Sequence, residues 1–217
     1  MMELNKYIDH TLLRPDATPE MIRSLCREAR EYDFRAVCVN SYYVSLASKE
    51  LSDSDVHVAS VVGFPLGAMD TSAKAYEADI ACENGADEID MVMNIGAMKA
   101  GDFETVLDDI SAVASIVYEH DAILKVILET CLLTDSEIVK ACDIAVEAGA
   151  DFVKTSTGFS SAGASCAHIE LMKKAVDGRA LVKASGGIRD RRTALEMISA
   201  GADRIGCSAS VKIMEEK

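Results

Sequence analysis

Eight strand signals, each followed by a helical one, predict that this chain of 217 residues is a single α/β domain, 1–217, of the (β/α)8 TIM-barrel class. Three observations carry that expectation. One local phrase recurs, as Glu83-Asn-Gly-Ala-Asp-Glu-Ile-Asp90, Glu147-Ala-Gly-Ala-Asp-Phe-Val-Lys154 and Ser199-Ala-Gly-Ala-Asp-Arg-Ile-Gly206, each between a helical pattern and an apolar strand. Alternating helices and strands imply a parallel sheet. An open doubly wound sheet is the alternative, but no Gly-x-Gly-x-x-Gly follows the first strand to support a dinucleotide site.

The strands are expected at Tyr7–Thr11, Arg35–Asn40, Val56–Gly63, Glu88–Asn94, Ile123–Glu129, Phe152–Thr155, Leu181–Ala184 and Arg204–Cys207. Helical patterns fall at Pro19–Tyr32, Tyr43–Leu51, Thr71–Asn84, Phe103–His120, Asp135–Ala148, Ala167–Val176 and Arg191–Ala200, with a terminal turn from Ser208. Gly85, Gly149 and Gly201 stand just past helix ends, where a positive φ is cheap only for glycine. Thr134 with Glu137 three residues on has capping-box spacing and should start the fifth helix.

Composition excludes several partners. A formal charge of −14 disfavours a nucleic-acid surface or an anionic membrane surface. No apolar run approaches the roughly 18 residues of a membrane span, and Met1-Met-Glu-Leu-Asn-Lys-Tyr7 is no signal peptide, so a cytoplasmic protein is expected. The seven cysteines form no Cys-x-x-Cys pair, which suits reduced core thiols rather than a disulfide framework or zinc site. His10, His57, His120 and His168 show no zinc-ligand spacing, and no metal is expected.

The chemistry lies in two strands that carry a lysine and then turn through glycine: Asp151-Phe-Val-Lys-Thr-Ser-Thr-Gly-Phe159 and Ala180-Leu-Val-Lys-Ala-Ser-Gly-Gly-Ile188. Lysine is rarely buried, because an ammonium leaves water at high cost unless paired or neutralised. Two amines in one cavity oppose each other's protonation, so one is pushed toward the neutral, nucleophilic form that a Schiff-base enzyme needs. Strand alternation points Lys154 and Lys183 inward, together with Asp90 (sharing a face with Glu88 and Asn94) and Lys125 (sharing a face with Ile127 and Glu129). An interior ion-pair network without chemistry would present the same four residues. Cys38 also points inward, as an inert buried thiol with no histidine beside it.

Glycine turns follow the last three strands, at Gly158, at Gly186 and Gly187, and from Gly206 to Ser208. Loops after the seventh and eighth barrel strands are the usual phosphate cradle of this fold. An anionic substrate of so acidic a protein needs such a local site, and these turns are expected at helix N-termini, whose dipoles favour an anion.

Seven motifs in order resemble the deoxyribose-phosphate aldolases: Tyr7–Leu13, Ala36–Asn40, Val62–Gly67, Asp87–Val92, Lys125–Thr130, Phe152–Phe159 and Val182–Arg189. The likeness covers nearly the whole chain. It implies a TIM barrel that cleaves 2-deoxy-D-ribose 5-phosphate to acetaldehyde and D-glyceraldehyde 3-phosphate without a cofactor, as a homodimer or homotetramer. By motif, Lys154 resembles the Schiff-base lysine, Lys183 the neighbouring lysine that tunes it and moves protons, and Asp90 the proton-transfer carboxylate. Cys38, Lys125 and Asp9 would contribute to the substrate pocket. Two departures stand out: Gly206-Cys-Ser-Ala-Ser210 where members often read Gly-Thr-Ser-Ser-Gly or Gly-Ala-Ser-Ser, and Met69 where asparagine is common. Two other readings share some of these features, a different phosphosugar barrel (aldolase or isomerase) and a silent metabolite-binding barrel.

Overall fold

The computed structural model describes residues 3–216. Eight strands close into an all-parallel barrel in chain order: β1 (Ile8–Leu12), β2 (Ala36–Asn40), β3 (His57–Val62), β4 (Glu88–Val92), β5 (Ile123–Ile127), β6 (Phe152–Lys154), β7 (Leu181–Ser185) and β8 (Arg204–Cys207). β8 returns to β1 through the pairs Ile8↔Ile205, Asp9↔Gly206 and His10↔Cys207. The barrel predicted from alternation is therefore the one formed, and the open sheet is not.

Helices form the outer layer: α1 (Pro19–Glu31), α2 (Val44–Leu51), α3 (Thr71–Glu83), α4 (Ile95–Ala100), α5 (Phe103–Glu119), α6 (Asp135–Glu147), α7 (Cys166–Val176), α8 (Arg191–Ser199) and α9 (Ser210–Glu215). Except at α2 and α9, their starts are set by short polar side chains that take up otherwise orphaned N–H groups. Thr18 accepts from Met21 N before Pro19, Asp102 from Thr105 N, Ser165 from His168 N and Asp190 from Thr193 N. The capping box at Thr134 and Glu137 is complete. Gly85, Gly149 and Gly201 have φ of 98°, 93° and 111°, so each helix is stopped as expected and the next strand re-enters the barrel.

The core lies between the barrel and the helices. Val37, Val39, Ile89, Met91, Val126, Val153, Val182 and Ile205 point outward from the strands into it and are buried. The opposite strand faces carry the polar groups, which therefore face one another inside the ring.

Two expectations need correction. β4 ends at Val92, and Asn94 leaves the sheet to cap α4 by accepting from Ala97 N at 3.0 Å, so it shares no inward face with Glu88 and Asp90. α4 itself lies outside the expected helices, because six residues are too few to display helical periodicity. Likewise β5 ends at Ile127, and Glu129 adopts a left-handed φ of 55° that carries it off the strand.

Candidate active site

The barrel interior holds three carboxylates and four cations. Asp90 on β4 is fully buried and accepts from Lys125 Nζ on Oδ1 at 2.6 Å. Its other oxygen, Oδ2, accepts from both Lys154 Nζ at 2.6 Å and Lys183 Nζ at 2.7 Å. Lys125 also pairs with Glu88 Oε2 at 2.6 Å. Lys183 donates to Asp9 Oδ2, and Arg204 on β8 binds Asp9 Oδ1 and, at 3.0 Å, Glu88 Oε2. Register brings them level, with Asp90 opposite Lys125 and Lys154 opposite Lys183.

Charge counting suggests which group yields. Asp9, Glu88 and Asp90 cannot neutralise Lys125, Lys154, Lys183 and Arg204 together, and a surplus cation in a dry ring is costly. Burial pushes the Lys154 amine below its ordinary value; Asp90 opposes that shift and the Lys183 charge adds to it. Lys183 moves the other way: it too pays for burial, but Asp9 and then Asp90 outweigh that cost and hold it protonated. Burial alone would raise the Asp90 carboxyl, yet Lys125, Lys154 and Lys183 hold it well below the usual range. The Cys38 thiol is pushed up by burial and then by Asp90, as suits an inert thiol.

Of these groups only Lys154 opens on the cavity at the barrel mouth. A cavity of about 360 Å³ lies at the C-terminal ends of the strands, lined by Lys154, Gly158, Ser185, Gly186, Gly187 and Gly206 to Ser208 among others. Asp9, Cys38, Lys125, Lys183 and Asp90 are fully buried below it, so they reach a ligand only through Lys154 or through movement. Gly206 faces Lys183, and a Cβ there would meet Lys183 Cε at 3.1 Å and Ser185 Cβ at 3.2 Å. A side chain on β8 would thus displace the second lysine.

All three glycine turns meet in this cavity, but not as helix N-termini. Gly158 lies eight positions before α7, and Gly187 four before α8. Only Ser208 adjoins a helix start, that of α9, which has six residues. What the turns do offer is backbone: Gly158, Gly186 and Gly187 have φ of 85°, 83° and 80°. The Gly158, Gly187 and Ser208 N–H groups make no hydrogen bond among the described residues.

Several lining residues lie outside the site residues expected from the sequence. Arg14, fixed to Asp16 through Nε at 2.7 Å, and the exposed Arg189 place cations at the cavity mouth. Phe159 lines one side and meets Phe64 edge-on at a centroid distance of 5.3 Å. Arg204 could have been found from its frame, since it alternates with Gly206 on the inward face. Lys74 could not: it is a fully buried lysine outside the ring, on α3, held by Asp109 Oδ2 at 2.6 Å and Val92 O at 2.9 Å.

Known proteins share this arrangement of sequence. Residues 4–212 match the family model described as DeoC/LacD family aldolase. Curated relatives named deoxyribose-phosphate aldolase include one from Clostridium tetani, 57% identical over 215 residues and covering 99% of each chain. Another, from Finegoldia magna, is 59% identical over 99% of this chain and 100% of its own length. Among solved structures, a tetrameric deoxyribose phosphate aldolase from Aeropyrum pernix superposes with a TM-score of 0.92 at 37% identity, covering 98% of this chain and 89% of that one. A lysine-lined barrel mouth and a family match along nearly its whole length lead to one conclusion: the chain belongs to the DeoC/LacD family of aldolases.

Proposed function

We propose that this protein is a class I deoxyribose-phosphate aldolase. In this reading it reversibly cleaves 2-deoxy-D-ribose 5-phosphate to D-glyceraldehyde 3-phosphate and acetaldehyde, in deoxyribose phosphate catabolism. The observation that carries the reading is the Lys154 amine. It is the one interior nitrogen that opens on the cavity, its ordinary pKa is lowered, and it shares a carboxylate oxygen with a protonated lysine.

The reaction follows from that placement. Neutral Lys154 attacks C1 of the open-chain sugar, and the carbinolamine loses water to give an iminium. Acetaldehyde carries C1 and C2, so the bond that breaks is C2–C3. Its electron pair moves toward the iminium nitrogen to form an enamine, while the C3 hydroxyl loses its proton and becomes the aldehyde of the triose phosphate. Protonation of the enamine at C2 and addition of water then release acetaldehyde and free the amine. Protons shed or taken at Lys154 Nζ have Asp90 Oδ2 at 2.6 Å, and Lys183 on the same oxygen can return them. No cofactor enters this sequence of steps.

The phosphate is assigned to the backbone of the Gly158, Gly186–Gly187 and Gly206–Ser208 turns, whose free N–H groups suit an anion. Arg14 and Arg189 add positive charge at the mouth. The enzyme is taken to be a cytoplasmic homo-oligomer of one barrel domain. No helix among the described residues is long and apolar enough to cross a membrane. Borohydride reduction in the presence of acetaldehyde tests the reading. An adduct of two carbons should map to the peptide containing Lys154 and vanish in Lys154→Arg, whose guanidinium forms no imine. A three-carbon adduct, or one on Lys183 alone, would refute it.

A further inference from the structure

Glu129 is a buried carboxylate without a counterion. It is 2% exposed and, unlike Asp90 and Glu88, makes no ion pair among the described residues. Its backbone holds the left-handed φ of 55°, which a side chain with a Cβ adopts only where the surroundings impose it. Thr157 supplies nearly all its partners. Thr157 N lies 3.2 Å from Oε1 and 3.4 Å from Oε2, and the Thr157 hydroxyl donates to Oε2. The only other hydrogen-bond partner of the carboxylate among the described residues is Cys131 Sγ, at 4.0 Å from Oε1.

Thr157 is three residues beyond Lys154 and lines the cavity beside Gly158. Its hydroxyl hydrogen is committed to Glu129 and one lone pair takes Phe159 N–H at 3.1 Å. What remains is a single acceptor site. We propose that Glu129 is a positioning residue, which acts through Thr157: it locks the loop after β6 and turns the Thr157 hydroxyl into an acceptor for a hydroxyl of the sugar substrate. The site would thereby favour a sugar with a hydroxyl donor at that point over an analogue without one. This inference rests on the aldolase reading of the same cavity.

The test is a cycle of Glu129→Gln, Thr157→Val and the double variant. The glutamine keeps the shape of the side chain but turns one end into a donor facing the donors of Thr157. Cleavage of 2-deoxyribose 5-phosphate should fall at least tenfold in kcat/KM in each single variant, and no further in the double. Borohydride trapping of acetaldehyde on Lys154, which needs neither loop nor sugar hydroxyl, should stay within about threefold of wild type. Hydrogen exchange of the 155–160 amides, a readout that needs no substrate, should quicken in Glu129→Gln. Additive losses in the double variant would overturn the proposal. So would unchanged exchange, or trapping that falls in step with cleavage, which would make Glu129 a support of the barrel as a whole. A wild type that does not cleave deoxyribose phosphate refutes the aldolase reading instead, and the exchange rates still decide whether Glu129 holds the loop.

Discussion

Replacing Lys183 by methionine removes one charge and little volume, and the geometry of Asp90 sets the size of the effect. Lys154 and Lys183 sit at 2.6 and 2.7 Å from the same oxygen. Their nitrogens are therefore on the order of 4–5 Å apart, where two unit charges at an effective dielectric of 20 repel by about 3.3–4.2 kcal/mol. Removing that repulsion favours protonated Lys154 by roughly 300- to 1,000-fold, so the neutral amine becomes correspondingly scarce near pH 7. The ring itself tolerates the change: three carboxylates then face three cations, and Asp9 keeps Arg204. The sign is fixed by the chemistry. Lys154 must be neutral to attack, its own value is lowered in the wild type, and losing Lys183 raises it. Cleavage by Lys183→Met, followed from pH 6 to 10, should be depressed roughly 300- to 1,000-fold at neutral pH. It should climb roughly tenfold per pH unit until it nears the wild type toward pH 10. A loss of equal size at every pH would refute the electrostatic argument and assign Lys183 to direct proton transfer.

Gly187→Asp should raise KM for the phosphorylated sugar far more than for free 2-deoxyribose, with Gly187→Asn as a control. Open space awaits a Cβ there and both side chains meet the same φ of 80°, so the pair isolates the charge; equal damage by both variants to both substrates would remove the phosphate from this turn. His10, buried between Ser210 Oγ and Glu28 Oε2, has its pKa lowered from 6.5 by burial, against the pull of Glu28. The unfolded chain thus takes up a proton near pH 6.5 that the folded one resists, so His10 stabilises above that pH and its contribution fades as pH falls. The drop in Tm from pH 7 to pH 5 should be shallower in His10→Asn, and an unchanged slope would rule out His10 as its source.

Local rules made the ring legible. Gly85, Gly149 and Gly201 mark three helix-to-strand passages, and strict alternation separates Ile89 and Met91 from Glu88 and Asp90 without any knowledge of partners. Lys154, Lys183 and Asp90 could be drawn together because inward residues of neighbouring parallel strands must meet. What escaped depends on ends and on distant contacts. Asn94 and Glu129 read as strand residues, since periodicity carries no signal for where a strand stops. Lys74 looks like any helix-surface lysine until Asp109 of α5 is set beside it. The assignment of the glycine turns to helix N-termini failed because loop length before a helix is not encoded in the glycines themselves.

The ion network spans the seam of the barrel. Asp9 arrives with the first strand, while the Lys183 and Arg204 that hold it lie 174 and 195 positions later. Asp90 in turn waits for lysines on three later strands. No fragment short of the last strand can therefore contain the complete set, and an emerging chain carries Asp9 without these partners until β8 docks on β1. Reactivity of Lys154 toward an aldehyde thus becomes a chemical clock for refolding, appearing with the final closure of the ring rather than with the first secondary structure. The same reasoning forbids a working half-barrel: cutting the gene between β4 and β5 would separate Asp90 from every lysine it holds.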